Sequence, residues 1–364
     1  MLYFFLGNTP DLSLLELRSL YPGTFDLVTK DIASYEEEID LNSLSRLGGT
    51  MKVARELTVV SPKLVIPTLV ELISADTPKN IALTDYASLD LGRAVFHELK
   101  EKVERSIRFV AMETSPHELV MLSHQHVLEY NLLPRGAEVI ITKTVWIYNA
   151  EDWVSRDRNK PYRDIKRGML PPKVARIMVN LATRGVTGLT LADPFCGTGT
   201  VLTEAMMVGQ NVVGSDTNPD AIEGSKSNLE WILSTPDLQP MTYDLRLGDA
   251  THFDEIFKSV GAIATEPYMG PLLDDRNPSS LEKIKNIAKG LDKLYRGAFK
   301  AFHKTLPLGG RVVMSIPSFH VYNREIPTIS IDTLSSLGYN YISSVPYSKV
   351  GAAVIRNITI LEKK

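Results

Sequence analysis

Two carboxylates and a pair of glycines carry the first chemical signal in this chain. Leu191–Thr200 reads LADPFCGTGT: Asp193 ends a short apolar run, Gly197 and Gly199 open a turn, and Val201–Val208 continues with apolar residues at Leu202, Ala205 and Met206. Strand, glycine turn and helix in that order make the first βα unit of a nucleotide-binding sheet. There the main chain must come close to a ligand, and the free N–H groups at the helix start favour polar or anionic groups. Asn211–Gly214 reads as a second strand that ends at Asp216, 17 residues after Gly199. That is close to the roughly 20-residue offset at which a carboxylate meets a ribose hydroxyl. A dinucleotide fingerprint needs a third glycine, and position 202 is Leu, so G-x-G-x-x-G fails. A bare G-x-G is equally compatible with a structural turn.

The elements that must hold these residues alternate. From Pro172 the chain reads helix (Val174–Leu181), strand (Leu189–Ala192), helix, strand (Val212–Ser215), helix (Ala221–Leu233), strand (Asp244–Leu247), helix, strand (Ala262–Thr265), long helix and strand (Arg311–Ser315). Such alternation implies a doubly wound, mostly parallel sheet whose ligand lies beyond the carboxyl ends of the strands. Tyr339–Ile342 and Ala353–Leu361 could close it as an antiparallel pair. In the long helix Ile284, Ile287, Leu291, Leu294, Ala298 and Phe302 form one apolar stripe, opposite Lys283, Lys285, Lys289, Lys293 and Lys300. This lysine face reads as a solvated surface or an RNA contact.

The first half is less informative. Leu2–Leu6 reads as a buried strand, and Pro10 stands at a plausible first helical position, with Pro22-Gly23 as the stop. Pro62, Pro67 and Pro78 break the following region into short elements. Ser106–Val110 reads as a strand, Pro116–Leu132 as a helix carrying His124 and His126, and Ala137–Ile141 and Thr144–Tyr148 as two further strands. Histidines at i and i+2 face different sides of a helix, which argues against a metal site.

Composition sets bounds. With 364 residues, 44% hydrophobic and 23% charged, the chain has room for two or three globular domains. A net charge of −3 gives no global sign of nucleic-acid binding, so any such affinity must come from local patches. The lone Cys196 excludes an internal disulfide and a thiolate zinc cluster. The start, MLYFFLGNTPD, lacks a basic region and its apolar run stops at Leu6, which points to a cytoplasmic protein. One local patch exists: residues 151–176 contain eight Lys or Arg against four Asp or Glu. Trp153 and Tyr162 are interleaved there and could stack on bases while Arg156, Arg158, Lys160, Arg163, Lys166 and Arg167 meet phosphates. A solvated linker pairing its own charges is the alternative.

The longer strings are more specific than any single glycine. D-P-F-C-G-T-G-T followed by G-S-D-x-N-P resembles the first two motifs of S-adenosylmethionine-dependent methyltransferases that act on exocyclic amines of nucleic acids. Leu247-Gly248-Asp249-Ala250 and Thr265-Glu266-Pro267-Tyr268 fall in the order of that family's next motifs. R-D-R-N-K-P-Y-R-D and R-G-M-L-P-P-K-V-A-R-I-M-V-N-L-A resemble the junction of the tRNA guanine-N2 methyltransferases that modify guanosine at position ten. The stretch from Arg105 to Tyr148, with N-L-L-P-R-G-A-E, looks like a THUMP module.

The resemblance implies an architecture. Residues 1–150 would be an α+β region, a ferredoxin-like element plus a THUMP-like RNA-binding module; residues 151–170 would be a basic linker. Residues 171–364 would be a Rossmann-like class I methyltransferase domain, an α/β doubly wound sheet with an antiparallel final pair. It also implies a site. Met169 and Pro171, the run Asp193, Pro194, Phe195, Cys196, Gly197, Thr198 and Gly199, then Asp216, Thr217, Asp249 and Ala250 would bind S-adenosylmethionine. Arg135, Arg156, Arg158, Lys160 and Arg163 would bind RNA. Thr265, Glu266, Pro267 and Tyr268 would form the catalytic turn, with the aromatic ring stacked on a flipped base.

The family's turn reads D/N-P-P-Y, so strict alignment puts Thr265 at the acidic position, whereas the loss of one proline would make Glu266 the acceptor. The implied partner is tRNA, with a small zinc-binding activator subunit as a further candidate and no metal in the chain itself. An adenine or cytosine amino-methyltransferase acting on DNA and a catalytically inactive tRNA-binding homologue are the alternatives.

Overall fold

The computed structural model describes residues 1–76, 79–102, 107–111, 127–164, 169–235, 238–273, 280–349 and 351–364. The chain divides into two compact units, Met1–Ser155 and Arg156–Lys364. No described helix is long and apolar enough to cross a membrane.

The first unit is built on one sheet with strand order β2-β3-β1-β4-β8-β7-β5-β6. Its strands are β1 (Leu2–Leu6), β2 (Asp26–Thr29), β3 (Ile32–Tyr35), β4 (Thr50–Val60), β5 (Asn80–Asp85), β6 (Arg108–Ala111), β7 (Leu128–Arg135) and β8 (Glu138–Ile147). Helices α1 (Pro10–Leu20), α2 (Val65–Asp76), α3 (Gly92–Lys102) and α4 (Ala150–Val154) accompany it. β1 is buried on both faces because successive side chains alternate: Leu2, Phe4 and Leu6 meet Leu14 and Leu17 of α1, and Tyr3 and Phe5 meet Ala54, Leu133 and Ile140. A second cluster joins Val65, Leu69 and Ile73 of α2 to Ile81, Tyr130, Leu132 and Ile141.

Three expectations change here. Leu128–Leu132, read as the end of a helix, belongs to strand β7; most of that expected helix, with His124 and His126, lies outside the described residues. The segments Ala137–Ile141 and Thr144–Tyr148 are one strand, β8, paired with β7 on one side and β4 on the other. Residues 150–159 are not an open linker, since α4 continues into a π-helical turn at Ser155–Asn159.

In the second unit the sheet order is β11-β10-β9-β12-β13-β16-β15, with β14 (Arg324–Pro327) paired to β13. The strands are β9 (Thr190–Asp193), β10 (Asn211–Asp216), β11 (Tyr243–Leu247), β12 (Ala262–Thr265), β13 (Arg311–Val321), β15 (Tyr339–Tyr347) and β16 (Val354–Lys363). β11, β10, β9, β12 and β13 run parallel; β16 pairs antiparallel with β13, and β15 pairs antiparallel with β16 to close the sheet. The order reverses between β9 and β12, which makes their carboxyl ends the switch point of a doubly wound sheet.

Helices α5 (Pro172–Thr183), α6 (Thr200–Met207), α7 (Pro219–Leu233), α8 (Phe253–Ile256), α9 (Leu281–Thr305) and α10 (Ile331–Ser336) connect the strands. One cluster of this unit lies under α9, where Ile284, Leu291, Tyr295 and Phe302 meet Ile263, Val312, Met314 and Phe319. The methyltransferase-type architecture expected for this half is present, with β10 and β13 longer than their apolar runs suggested.

Candidate active site

The glycine turn joins β9 to α6 and is clamped from several sides. Gly197 (φ +50°) and Gly199 (φ +74°) adopt backbone conformations that L side chains rarely take. A Cβ on Gly197 would have only the Phe195 carbonyl near it, at 3.9 Å, so the main chain presents a bare surface; at Gly199 it would meet Ser225. Asp216, at the end of β10, accepts hydrogen bonds from the Gly197 N–H (3.1 Å) and the Asn218 N–H (2.9 Å). Ser225 donates to the Gly197 carbonyl (2.8 Å) and Asn228 to the Thr198 carbonyl (2.8 Å). The Cys196 thiol is buried, which pushes its pKa up and keeps it from serving as a nucleophile.

Four acidic residues stand at or just beyond the carboxyl ends of neighbouring parallel strands: Asp249 after β11, Asp216 on β10, Asp193 on β9 and Glu266 after β12. Asp193 is buried; its Oδ1 accepts from the Thr265 hydroxyl (2.5 Å) and the Phe195 N–H (3.1 Å). Burial raises its pKa to about 7; those two hydrogen bonds oppose the rise, and the charges of Asp216 and Glu266 add to it. Asp249 is exposed and caps the turn at Ala250–His252 by accepting from the N–H and hydroxyl of Thr251, both at 2.8 Å. Beside it Leu247 is exposed while Ala250 is buried. Thr217 is exposed, Pro194 buried, and Phe195 and Thr198 half-buried. Pro171 caps α5 from an exposed position and Met169 precedes it half-buried.

At Thr265-Glu266-Pro267-Tyr268 the two candidate acceptors have different surroundings. Thr265 is fully buried and its hydroxyl proton goes to Asp193, so strict alignment selects a group sealed beneath the turn. Glu266 is partly open, and its Oε1 pairs with Nε of Arg356 at 2.8 Å. Tyr268 exposes 58% of its surface, while its carbonyl is held by the Tyr295 hydroxyl of α9 (2.7 Å). Gly270 (φ +94°) completes the turn against Ile287 and Leu291. Sequence reasoning missed Arg356. It lies on β16, 90 residues from Glu266, and an arginine in an amphipathic strand carries no local sign of its partner.

The basic connector behaves differently from its charge count. Arg156 is only 3% exposed and pairs with Glu204 of α6 (2.7 Å), which Arg176 also meets (2.6 Å). Lys160 is buried and donates to the Thr200 hydroxyl (2.9 Å). Neither cation is placed to meet phosphate, because a desolvated cation is kept only where a partner compensates it. Trp153 is buried, and the Tyr162 ring lies against α7, where a Cβ on Gly224 would sit 2.1 Å from it. Both rings are therefore structural rather than base-stacking. Arg158 and Arg163 are exposed, as is Arg135 at the β7–β8 hairpin; Lys166 and Arg167 lie outside the described residues.

Residues 160–324 match the family model of the RMKL-like methyltransferase domain. The chain is 32% identical over 199 residues to the tRNA (guanine(10)-N2)-dimethyltransferase of Pyrococcus abyssi, covering 54% of this chain and 50% of that protein. It is 32% identical over 184 residues to the protein of the same name from Methanothermobacter thermautotrophicus, covering 50% and 48%. A third, from Methanocaldococcus jannaschii, is 32% identical over 156 residues, covering 40% and 42%. The chain thus spans about half the length of the first two of these curated relatives. Residues 160–324 are therefore similar to the RMKL-like methyltransferase domain, in a chain that is similar over about half its length to tRNA (guanine(10)-N2)-dimethyltransferases.

Proposed function

We propose that the chain methylates the exocyclic N2 amine of a guanosine in tRNA, at position 10, using S-adenosylmethionine. The observation that carries this reading is the constellation at the switch point. A bare glycine turn, three aspartates on neighbouring strand ends and the Glu266-Pro267-Tyr268 turn meet one edge of one sheet.

The donor set fits the cofactor. The Asp216 carboxylate suits ribose hydroxyls, and the exposed carboxylate of Asp249 beside exposed Leu247 suits an adenine with its amine. The side-chain-free surface at Gly197 leaves room for a methionyl chain. When bound, S-adenosylmethionine supplies an electrophilic methyl group on a sulfonium centre.

The remaining work falls to this chain. Guanine's amine has its lone pair delocalised into the ring and is a weak nucleophile, so acceptors must await its hydrogens where the nitrogen becomes tetrahedral and cationic. Glu266 is the acceptor, because Arg356 engages Oε1 and orients the carboxylate, while the Thr265 hydroxyl is committed to Asp193. The exposed Tyr268 ring offers a stacking surface for an extruded base, and Tyr295 fixes the backbone beneath it. In this reading Met1–Ser155 is the tRNA-docking, THUMP-like region with Arg135 as an exposed cation toward RNA, and Arg158 and Arg163 at the start of the second unit are further exposed cations.

The test is methyl transfer by the intact chain to unmodified tRNA, followed by mass spectrometry of the nucleosides. N2-methylated guanosine is expected, and it should vanish when guanosine 10 is replaced by adenosine. Methylated adenine or cytosine in DNA would replace this reading with the amino-methyltransferase alternative. Cofactor binding without any transfer would mark an inactive homologue.

A further inference from the structure

Helix α9 carries more positive charge on one line than its fold requires. Its buried side chains, Ile284, Leu291, Tyr295 and Phe302 among them, fasten one face to the core. At 100° per residue, Lys285, Lys289, Lys293 and Lys300 fall within an arc of about 80° on the far side, and from first to last they span about 22 Å of the axis. All four are exposed, and none forms an ion pair or hydrogen bond among the described residues. Arg296 and Lys304 lie on the same line, yet each is held by a carboxylate, Asp292 at 2.7 Å and Asp254 at 2.8 Å.

Like charges one turn apart repel and weaken a helix, and a merely solvated face normally intersperses acids at that spacing. Here Lys285, Lys289 and Lys293 follow at i, i+4 and i+8, and the one acid between them, Asp292, is engaged by Arg296. In a chain of net charge −3 the arrangement is local. A membrane is a poor match, because the apolar face of α9 is buried in the core and none of its large apolar side chains is exposed. The same lack of an exposed apolar or aromatic anchor argues against a protein interface. What matches a long, narrow, unpaired cationic line is a polyanion with regularly spaced charge. At about 3.4 Å of axis per phosphate on one strand, 22 Å follows several phosphates.

The line is also mechanically tied to the site. Tyr295 of α9 holds the Tyr268 carbonyl at 2.7 Å, and Ile287 and Leu291 seat Gly270 of the same turn. An RNA lying along α9 therefore engages the rigid element that braces the proposed catalytic turn. We infer that Lys285, Lys289, Lys293 and Lys300 form a docking line for the phosphodiester backbone of the RNA substrate. This rests on the reading of the chain as a tRNA methyltransferase.

The test replaces all four lysines with glutamine in the intact chain and, in a second variant, with arginine. Binding is measured to unmodified tRNA and to a short RNA duplex of unrelated sequence, each across a range of salt concentrations. The glutamine variant should bind both about tenfold or more weakly. The slope of log affinity against log salt should fall by about three, since each lost phosphate contact removes roughly 0.7–0.9. The arginine variant should keep wild-type slope, and cofactor affinity should be unchanged in both. An unchanged slope and affinity in the glutamine variant overturns the docking line, even if the wild-type chain methylates tRNA. A wild-type chain that methylates no tRNA, with the glutamine variant still losing salt-dependent RNA binding, overturns the activity and leaves the docking line standing. Preference for anionic lipid vesicles over RNA by the wild type would overturn it in favour of a membrane surface.

Discussion

Glu129 in the first unit and Asp193 in the second are almost equally buried, at 1% and 2% exposed, and they are satisfied in opposite ways. Glu129 accepts from Lys52 Nζ (2.6 Å), Thr84 (2.7 Å) and Thr144 (2.5 Å). The same ammonium donates to Asn131 and lies 4.5 Å over the Phe5 ring. Every charge there has an opposite partner, and the cluster ties β4 and β8 to β5 and β7. Asp193 has no cation among the described residues. Its two neutral donors both use Oδ1, and Asp216 and Glu266 raise its pKa further. Burial of a charge therefore does not mark a site by itself. A matched buried pair fixes strand register, whereas a carboxylate sealed without a cation, next to others of its sign, marks a place where charge balance awaits something else.

The largest effect expected from this contrast is structural. Lys52→Met leaves Glu129 buried without its cation and should destabilise the first unit by about 3–5 kcal/mol, read from denaturant unfolding of the intact chain. Adding Glu129→Gln should recover a large part of that loss, because the uncompensated charge goes. A cost below about 1 kcal/mol for Lys52→Met would mean that the pair is not what holds β4 to β7. Asp193→Asn should act in the other direction. Its folded pKa of about 7 lies above the ordinary 3.8, so the carboxyl supports the fold fully below pH 4 and that support is lost as pH rises towards 7. The interval corresponds to about 4 kcal/mol. Asn keeps the Oδ1 acceptor for Thr265 and Phe195, so Asp193→Asn should be more stable than the native chain at pH 8 by up to that amount and nearly equal to it at pH 4. Equal stability at both pH values would show that Asp193 ionises without penalty.

The same contrast explains what could be read from sequence. The second unit was legible because its signals are local: apolar runs ending in Asp193 or Thr265, glycines where φ must be positive, and a helix with one apolar stripe. β7 was misread because it is buried on both faces and carries Glu129 and Asn131 inside. Its residues Leu128–Leu132 do alternate apolar and polar, but the polar positions face the interior, and the Lys52 that makes this tolerable lies 77 residues away. Residues 151–176 were misread for a related reason. Their net charge was counted within the segment, while Glu204, which takes up Arg156, sits 48 residues downstream. The Glu266–Arg356 pair was beyond reach on the same grounds. Motifs report what the backbone must do locally, whereas the partner of a buried charge is a fact of topology.

Glu266 brings the comparison to the reaction itself, since it resembles Glu129 in having a cation and Asp193 in standing at the site. Glu266→Gln should lower single-turnover methyl transfer about a hundredfold or more, with cofactor affinity nearly unchanged, because an acceptor aimed at developing positive charge is lost. Arg356→Gln should lower transfer by a smaller factor, because the carboxylate stays but loses the guanidinium that orients it. Thr265→Val should cost stability through Asp193 and leave single-turnover methyl transfer nearly unchanged. Should Thr265→Val prove harmful to the chemical step while Glu266→Gln is mild, the roles in the turn would have to be exchanged.

The smallest expected effect belongs to Tyr268, whose ring and backbone answer different questions. The ring is exposed, so Tyr268→Ala removes apolar surface that the fold does not use. The carbonyl that receives the Tyr295 hydroxyl stays in place. Thermal stability should therefore hardly move, whereas kcat/KM for tRNA should fall by a factor equivalent to roughly 1–3 kcal/mol, the worth of one base stacked on an aromatic ring. Tyr268→Phe should keep most of the activity, since stacking needs the ring and not the hydroxyl. Tyr295→Phe is the reciprocal case: it keeps the ring at position 268 and releases its anchor, so it should loosen the turn and lower turnover more than tRNA affinity. If Tyr268→Ala matched the native chain in kcat/KM, the exposed ring would be an ordinary surface residue. The base would then have to be held by another part of the molecule.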